Sequence, residues 1–221
     1  MNQIINRSGT LQAPQLDYIL LDGSSSMSPK WWETIGALEQ YVSVLKSQNV
    51  NSHGIIQVFD SYDLDCVLRD GTLDTWGSLN DLGYNGGTTP LYDAINLMCR
   101  KLRDLDPPRA SIVIVTDGDE NGSAYTDANQ ARAMLDWCRA KGWQVTFLGA
   151  DFNNSMQAKL LGADDTNSVG VRKEKMIEAG KSLGEKRAKH ALYGDDINFS
   201  EDERKNFGGY LTNGNGRDTK H

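Results

Sequence analysis

The chain has 221 residues and a formal net charge of −7, with 30 acidic side chains against 23 lysines and arginines. A chain of this length buries enough surface to fold without covalent staples. Its acidic balance opposes nucleic-acid phosphates and suits a site that gathers cations. Cys66, Cys99 and Cys138 are far apart in sequence, odd in number and without a CxxC pair, and His53, His190 and His221 do not cluster with them. That pattern argues against a zinc site or a disulfide framework and for reduced thiols in a cytosol. Residues 1–15 lack a charged region followed by an apolar core, so no signal peptide is expected. No apolar run approaches the roughly 18 residues that a membrane span needs.

In chain order, "LDYILLD" (16–22) is a short continuous apolar run of the kind found in a strand buried on both faces. "SPKWWETIGALEQYVSVLKS" (28–47) follows as a helix, with Ser28 as its cap and Pro29 in its first turn. Ile35, Leu38, Val42 and Leu45 give that helix one apolar face. "GIIQVFD" (54–60) and "LDCVLRD" (64–70) read as strands separated by "SYD" alone. So short a link excludes a crossover helix, so the two strands should pair antiparallel. A glycine-rich polar loop (71–87) leads to a helix at 89–105, bounded by Pro90 near its start and Pro107–Pro108 beyond its end. "ASIVIVTD" (110–117) is a second buried strand. A helix at 127–142, a strand at 143–151, a short helix near 155–161 and a weak strand near 168–171 come next. The last helix, about 173–193, places Gly180, Gly184, Ala188 and Ala191 on one side, which permits close approach to a neighbour. From Gly194 the chain is polar and rich in Asn and Gly, and it reads as a disordered tail over 194–221, as residues 1–14 read as an N-terminal extension.

Strands alternating with helices predict an α/β domain over 15–193: a doubly wound, mostly parallel sheet with one antiparallel edge strand and helices on both faces. Ligands bind such sheets at the carboxyl ends of the strands. Three polar clusters fall there: Asp22, Ser24 and Ser26 after the first strand, Thr88–Thr89 before a helix, and Asp117 at the end of "IVIVTD". Alternate residues of an extended loop point the same way, so Asp22, Ser24 and Ser26 aim one carboxylate and two hydroxyls at a common point. Asp117 adds a second carboxylate. Two carboxylates in a partly buried cleft repel, and a divalent cation relieves them. With oxygen donors alone the cation should be hard, Mg²⁺ before Mn²⁺ or Ca²⁺.

These loops carry a family resemblance. "DGSSSM" (22–27) resembles the Asp-x-Ser-x-Ser motif of von Willebrand factor type A (VWA) domains. "GGTTPLYDAI" (86–95) is similar to the threonine loop of stand-alone bacterial and phage members, and "IVTDGDENGS" (114–123) to the aspartate loop. The three occur in the family's order, and the resemblance covers about 15–193. It implies a Rossmann-like fold with a metal-ion-dependent adhesion site. Ser24, Ser26 and Thr89 would coordinate the metal, Asp22 and Asp117 would act mainly through waters, and an Asp or Glu of a protein partner would complete the sphere. Thr88 and Thr89 are adjacent, and the "TPLYDAI" register favours Thr89. Asp119 and Glu120 lie close to the site, and a solvated approach to the next helix is their expected role.

The sequence meets the requirements of an enzyme less well. A nucleophile elbow needs Gly-x-Ser-x-Gly, but Gly23-Ser24-Ser25-Ser26 runs into Met27. "Gly180-Lys181-Ser182" lacks the first glycine of a phosphate loop, since Lys175 holds that position. A Mg²⁺-dependent hydrolase would need a general base or nucleophile in addition. The expected function is therefore metal-dependent protein binding, with no catalytic residue, no nucleic acid and no membrane. The alternative is a virion or assembly component built on the same fold, virion-associated instead of cytoplasmic. Trp31 and Trp32 stand beside the site, one expected in the core and the other free for contact.

Overall fold

The computed structural model describes residues 15–117, 120–150 and 155–208. The N-terminal extension, Asp119 and the final residues of the predicted tail lie outside them. One six-stranded sheet runs through the molecule in the order β3-β2-β1-β4-β5-β6. Its strands are β1 (Gln15–Asp22), β2 (Ser52–Phe59), β3 (Cys66–Thr72), β4 (Arg109–Thr116), β5 (Gln144–Ala150) and β6 (Ser168–Val171). All pairs are parallel except β2–β3, which is antiparallel with a register shift at Ile56/Gln57. The observed link, six residues between Phe59 and Cys66, is still too short for a crossover helix. The carboxylate of Asp60 accepts the amides of Tyr62 and Asp63 (2.8 and 3.0 Å) and closes that turn.

Every residue of β1 is buried, which is why its sequence does not alternate. Ile19 and Leu21 face a core under α1 (Trp31–Ser47) and α5 (Met176–Tyr193). Leu16, Tyr18 and Leu20 face a second core under α2 (Leu91–Leu105) and α3 (Ala128–Ala140), which the short α4 (Ser155–Leu160) extends. The small-residue side of α5 lies on α1. A Cβ on Gly180 would sit 2.2 Å from the carbonyl oxygen of Ala37, so only glycine permits this approach. Cys99 and Cys138, far apart in sequence, are both buried, and α2 and α3 bring their free sulfurs to 3.7 Å. Cys66, on the edge strand, is half-buried.

Two expectations are corrected. The first helix does not start at Ser28. Residues Ser25–Lys30 form a 3₁₀ segment that contains Ser28 and Pro29, and the α-helix begins at Trp31. The tail is not disordered from residue 194. Gly194 ends α5 in the left-handed conformation (φ 83°), and the chain then returns across the edge of the sheet. The amide of Phe199 bonds the carbonyl of Thr166 (2.7 Å), and Arg172 N–H bonds the carbonyl of Phe207 (2.8 Å). Ile197, Phe199 and Phe207 are buried, the two rings edge-to-face at 6.2 Å. Ser200 and Glu203 form a reciprocal cap for α6 (Glu201–Phe207). Glu203 also accepts from Ser182 (2.9 Å) and Lys186 (3.0 Å) on α5. Burial alone would raise its carboxyl, but Lys186, the Ser200 amide and Ser182 outweigh it and hold the group at about 2.

This packing predicts that residues 195–208 are part of the domain. Truncation after Gly194 should lower the melting temperature, and Phe199→Ala alone should cost about 3 kcal/mol, a drop of roughly 5–10 °C. Calorimetry of the two variants checks this, and an unchanged melting temperature would return the segment to a dispensable tail.

Candidate metal centre

The sheet order reverses direction between β1 and β4, since β2 follows β1 on one side and β4 lies on the other. The carboxyl ends of these two strands form a topological switch point, where a doubly wound sheet opens a crevice. Asp22 ends β1, and Asp117 directly follows β4.

Asp22 is fully buried. One carboxylate oxygen accepts the Ser24 amide (2.8 Å) and the other the Thr116 hydroxyl (2.6 Å). Burial pushes its carboxyl up to about 6 despite these donors, and nearby Asp117 adds to the rise. From Ser24 the contacts continue outward. Its hydroxyl lies 3.0 Å from that of Ser26, and Ser26 Oγ donates to Asp117 Oδ1 (2.6 Å). Lys30 Nζ donates to Asp117 Oδ2 and to the carbonyl of Ala150 (3.3 Å). Thr116, Asp22, Ser24, Ser26, Asp117 and Lys30 thus form one continuous polar run, buried at Asp22 and exposed at Ser26.

The serine loop sits tightly on the sheet because Gly23 does. A Cβ there would meet Val58 Cγ1 at 2.6 Å. Its amide bonds the Phe59 carbonyl (2.8 Å) and its carbonyl accepts the Gly86 amide (3.0 Å). Ser25 completes the join: its amide donates to the Gly87 carbonyl (3.1 Å) and its hydroxyl accepts the Gly87 amide (2.8 Å). Gly86 and Gly87 have φ of 90° and 87°, a conformation that favours glycine. This puts Ser25 in a bracing role.

The threonine loop is in turn tied to the aspartate loop. Thr89 is buried while Thr88 is exposed. The Thr89 amide donates to Asn121 Oδ1 (2.8 Å) and its carbonyl accepts the Asn121 amide (3.2 Å). Glu120 is no solvated approach. It accepts the Tyr92 amide (3.0 Å) at the start of α2, the amides of Gly122 and Ser123 (2.8 and 2.6 Å) and the Ser123 hydroxyl (2.7 Å). Asp93, buried on α2, accepts the Ala124 amide (2.7 Å). Sequence reading missed these ties. The available signal was a helix whose start carries Pro90 and no capping side chain of its own. Trp31 is the core tryptophan, donating its indole N–H to the Leu82 carbonyl (3.1 Å), and Trp32 is 62% exposed.

The predicted donors are therefore placed unequally. Asp22, Ser24, Ser26 and Asp117 are joined directly, whereas Thr89 is bonded through its backbone to Asn121 of the aspartate loop. Among the described residues no group of three or more His, Cys, Asp or Glu side chains could hold a metal ion, so a cation here depends on hydroxyls. One feature fits a hard divalent cation: the donors are all oxygen. The Lys30 ammonium already stands on the Asp117 carboxylate as an internal cation.

Comparison with known proteins agrees with this architecture. A family profile described as von Willebrand factor type A domain matches residues 18–180. No curated protein sequence matches. Among solved structures, a von Willebrand factor type A protein from Catenulispora acidiphila superposes with a TM-score of 0.61 at 14% identity, over 80% of this chain and 44% of that one. The vWF domain of the type V pili tip protein Mfa5 from Porphyromonas gingivalis gives 0.61 at 10% identity, over 80% and 95%. The pilus adhesin SpaC from Lactobacillus rhamnosus GG gives 0.61 at 11% identity, over 84% and 31%. This chain thus spans less than half of the Catenulispora and SpaC chains and nearly all of the Mfa5 domain. At these identities the superpositions speak for the fold alone, and with the family profile they lead to one conclusion: the chain belongs to the von Willebrand factor type A domain family.

Proposed function

We propose that the protein is a metal-dependent protein-binding module, in which Ser24, Ser26 and Thr89 hold Mg²⁺ or Mn²⁺, Asp22 and Asp117 support it, and a partner Asp or Glu completes the coordination. The observation that carries this reading is the continuous run from Asp22 through Ser24 and Ser26 to Asp117, which ends on a cation. The bound ion would supply a concentrated positive charge at the exposed end of that run. The chain's own part is to hold hydroxyls and carboxylates on three braced loops. The serine hydroxyls are neutral donors, so they leave the ion able to attract an anion. Two proteins that share the fold are by name a pilus tip protein and a pilus adhesin, which agrees with attachment as its use.

Binding is favoured over hydrolysis by what surrounds the run. His53 and His190, the histidines among the described residues, lie at the opposite sheet edge. His53 is the second residue of β2 and pairs with Asp70, and His190 accepts through its carbonyl from Arg109 at the start of β4. Neither is placed to act as a base for the crevice.

Three outcomes follow from this geometry. Calorimetric titration should give one Mg²⁺ or Mn²⁺ per chain, and Asp22→Ala should abolish it. Saturation at about 100 times Kd should stabilise the protein by about 2.7 kcal/mol, a rise of roughly 5–10 °C.

Asp22→Asn should act oppositely on the metal-free protein. The Asp22 carboxyl is raised from 3.8 to about 6, so the fold favours its protonated form. That contribution is fully present below about pH 3.8 and is lost as pH rises through about 6. At pH 7 in EDTA, Asp22→Asn should therefore gain about 1–3 kcal/mol, less at pH 4.5, while losing metal binding. Equal stability of wild type and variant at both pH values would contradict the burial argument.

For a partner identified by pull-down, affinity should fall at least 30-fold in EDTA or with Thr89→Ala, the loss of about 2 kcal/mol expected for a buried charged contact. Equal affinity in Mg²⁺, in EDTA and with Thr89→Ala would place the interface elsewhere.

A further inference from the structure

Lys30 is not one of the family-motif positions quoted above, yet among the described residues its ammonium is in direct contact with one of them, Asp117. It is the last residue of the 3₁₀ segment (φ −122°, ψ 0°), where the chain switches from the serine loop into α1. From there it passes the end of β4 and reaches the end of β5, where the Ala150 carbonyl accepts from it at 3.3 Å. Its side chain is 14% exposed, and that of Asp117 is fully buried. This differs from a surface ion pair, in which two solvated side chains meet at little net gain. Here one partner is out of water and the other is backed by a main-chain carbonyl.

The two oxygens of Asp117 are divided. Lys30 takes Oδ2, and Ser26 takes Oδ1. The oxygen on the serine side is thus free of the ammonium, so a cation held by the serines does not require Lys30 to leave. Asp22, by contrast, is met by the Ser24 amide and the Thr116 hydroxyl, both neutral donors. Counting formal charge, the two carboxylates contribute −2 and Lys30 +1, so the cluster carries −1. A divalent cation then brings the centre to +1. Without Lys30 the same centre would be neutral.

Resting on the metal reading above, we propose that Lys30 sets the charge of this centre: it weakens capture of the divalent cation and leaves the bound ion with surplus positive charge that selects an anionic ligand. A unit charge next to a partly buried site changes a binding constant for a divalent ion by tenfold or more at low salt. The same surplus favours a partner carboxylate over a neutral oxygen donor. The chain's overall charge of −7 works against an acidic partner, so the local +1 is what makes a carboxylate acceptable at this edge.

The test is a Mn²⁺ titration, followed by electron paramagnetic resonance at low salt, of wild type, Lys30→Gln and Lys30→Arg. Lys30→Gln should bind Mn²⁺ at least tenfold more tightly, and Lys30→Arg should stay within about threefold of wild type. About 1 M salt should narrow the difference. In EDTA, Lys30→Gln should melt a few degrees below wild type, because Asp117 loses its buried counter-charge. Once loaded with Mn²⁺, wild type should take up acetate as a carboxylate probe more readily than Lys30→Gln. Equal or weaker Mn²⁺ binding by Lys30→Gln, with wild type binding normally, would overturn the role of Lys30 alone. Equal acetate uptake would overturn the selection of an anion. Failure of wild type and Lys30→Gln alike to bind Mn²⁺ would overturn the metal centre and this inference with it.

Discussion

The structure is organised around a carboxylate placed where water does not reach it. Asp22 closes the central strand between two parallel neighbours, fully buried. A buried acid is costly unless it finds donors or sheds its charge. Part of the answer is the Thr116 hydroxyl on the next strand, and part is the amide of Ser24, which the chain can present only by turning sharply after Asp22. That turn requires Gly23 to lie against β2, and it draws in Gly86 and Gly87 of the threonine loop. Meeting the needs of one carboxylate thus assembles two of the three loops.

The same strand carries a second buried acid, and the contrast separates an acid fastened by charge from one met by neutral donors alone. Asp17 lies near the other end of β1. Arg187 on α5 grips it with Nε on Oδ1 (2.7 Å) and Nη2 on Oδ2 (3.1 Å), and Nη1 reaches Gln15 (2.9 Å). Tyr41 and Ser52 also donate to Asp17. A bidentate guanidinium among such donors leaves no coordination free, so that acid fastens α5 to the sheet. Asp22 receives no guanidinium; its donors are neutral, and the hydroxyls beyond it lead to solvent at Ser26. Two aspartates five positions apart in one apolar run therefore differ through their partners, not through their own burial.

How much of this was legible depends on whether a feature is local. The antiparallel β2–β3 pair followed from link length. Burial of β1 followed from its unbroken apolar run, and the close helix pair from Gly180 and Gly184. The three polar loops were legible because each sits at a strand end or helix start. What escaped depends on contacts distant in sequence. Ile197, Phe199 and Phe207 are spread through a polar segment with no period, and they become core only because the chain doubles back over β6. Glu120 looked like a solvated acid, and its role at the start of α2 required knowing that the aspartate loop folds over Tyr92. Cys99 and Cys138, 39 residues apart, meet only because α2 and α3 are adjacent. Lys30 was hidden in a presumed first helical turn. The α-helix begins only at Trp31, three residues beyond Ser28, which leaves the Lys30 side chain directed across the end of β4.

The loops also show why the crevice should respond to an ion without rearranging. Each is tied to its neighbour through main-chain atoms: Ser25 to Gly87, Thr89 to Asn121, and Tyr92 to Glu120. Trp31 anchors the rear of the serine loop to Leu82 and packs its ring at a tilt against Tyr84, centroids 4.7 Å apart. Backbone ties keep the side-chain oxygens of Ser24 and Ser26 available, because little of the bracing is asked of them. A site built this way is preorganised, and preorganisation raises affinity by removing the cost of ordering on binding. On the metal reading proposed above, what an ion would change is therefore charge at a fixed location. An edge acidic without the ion and positive with it would discriminate through sign, and sign is a property that an anionic partner reads strongly at short range.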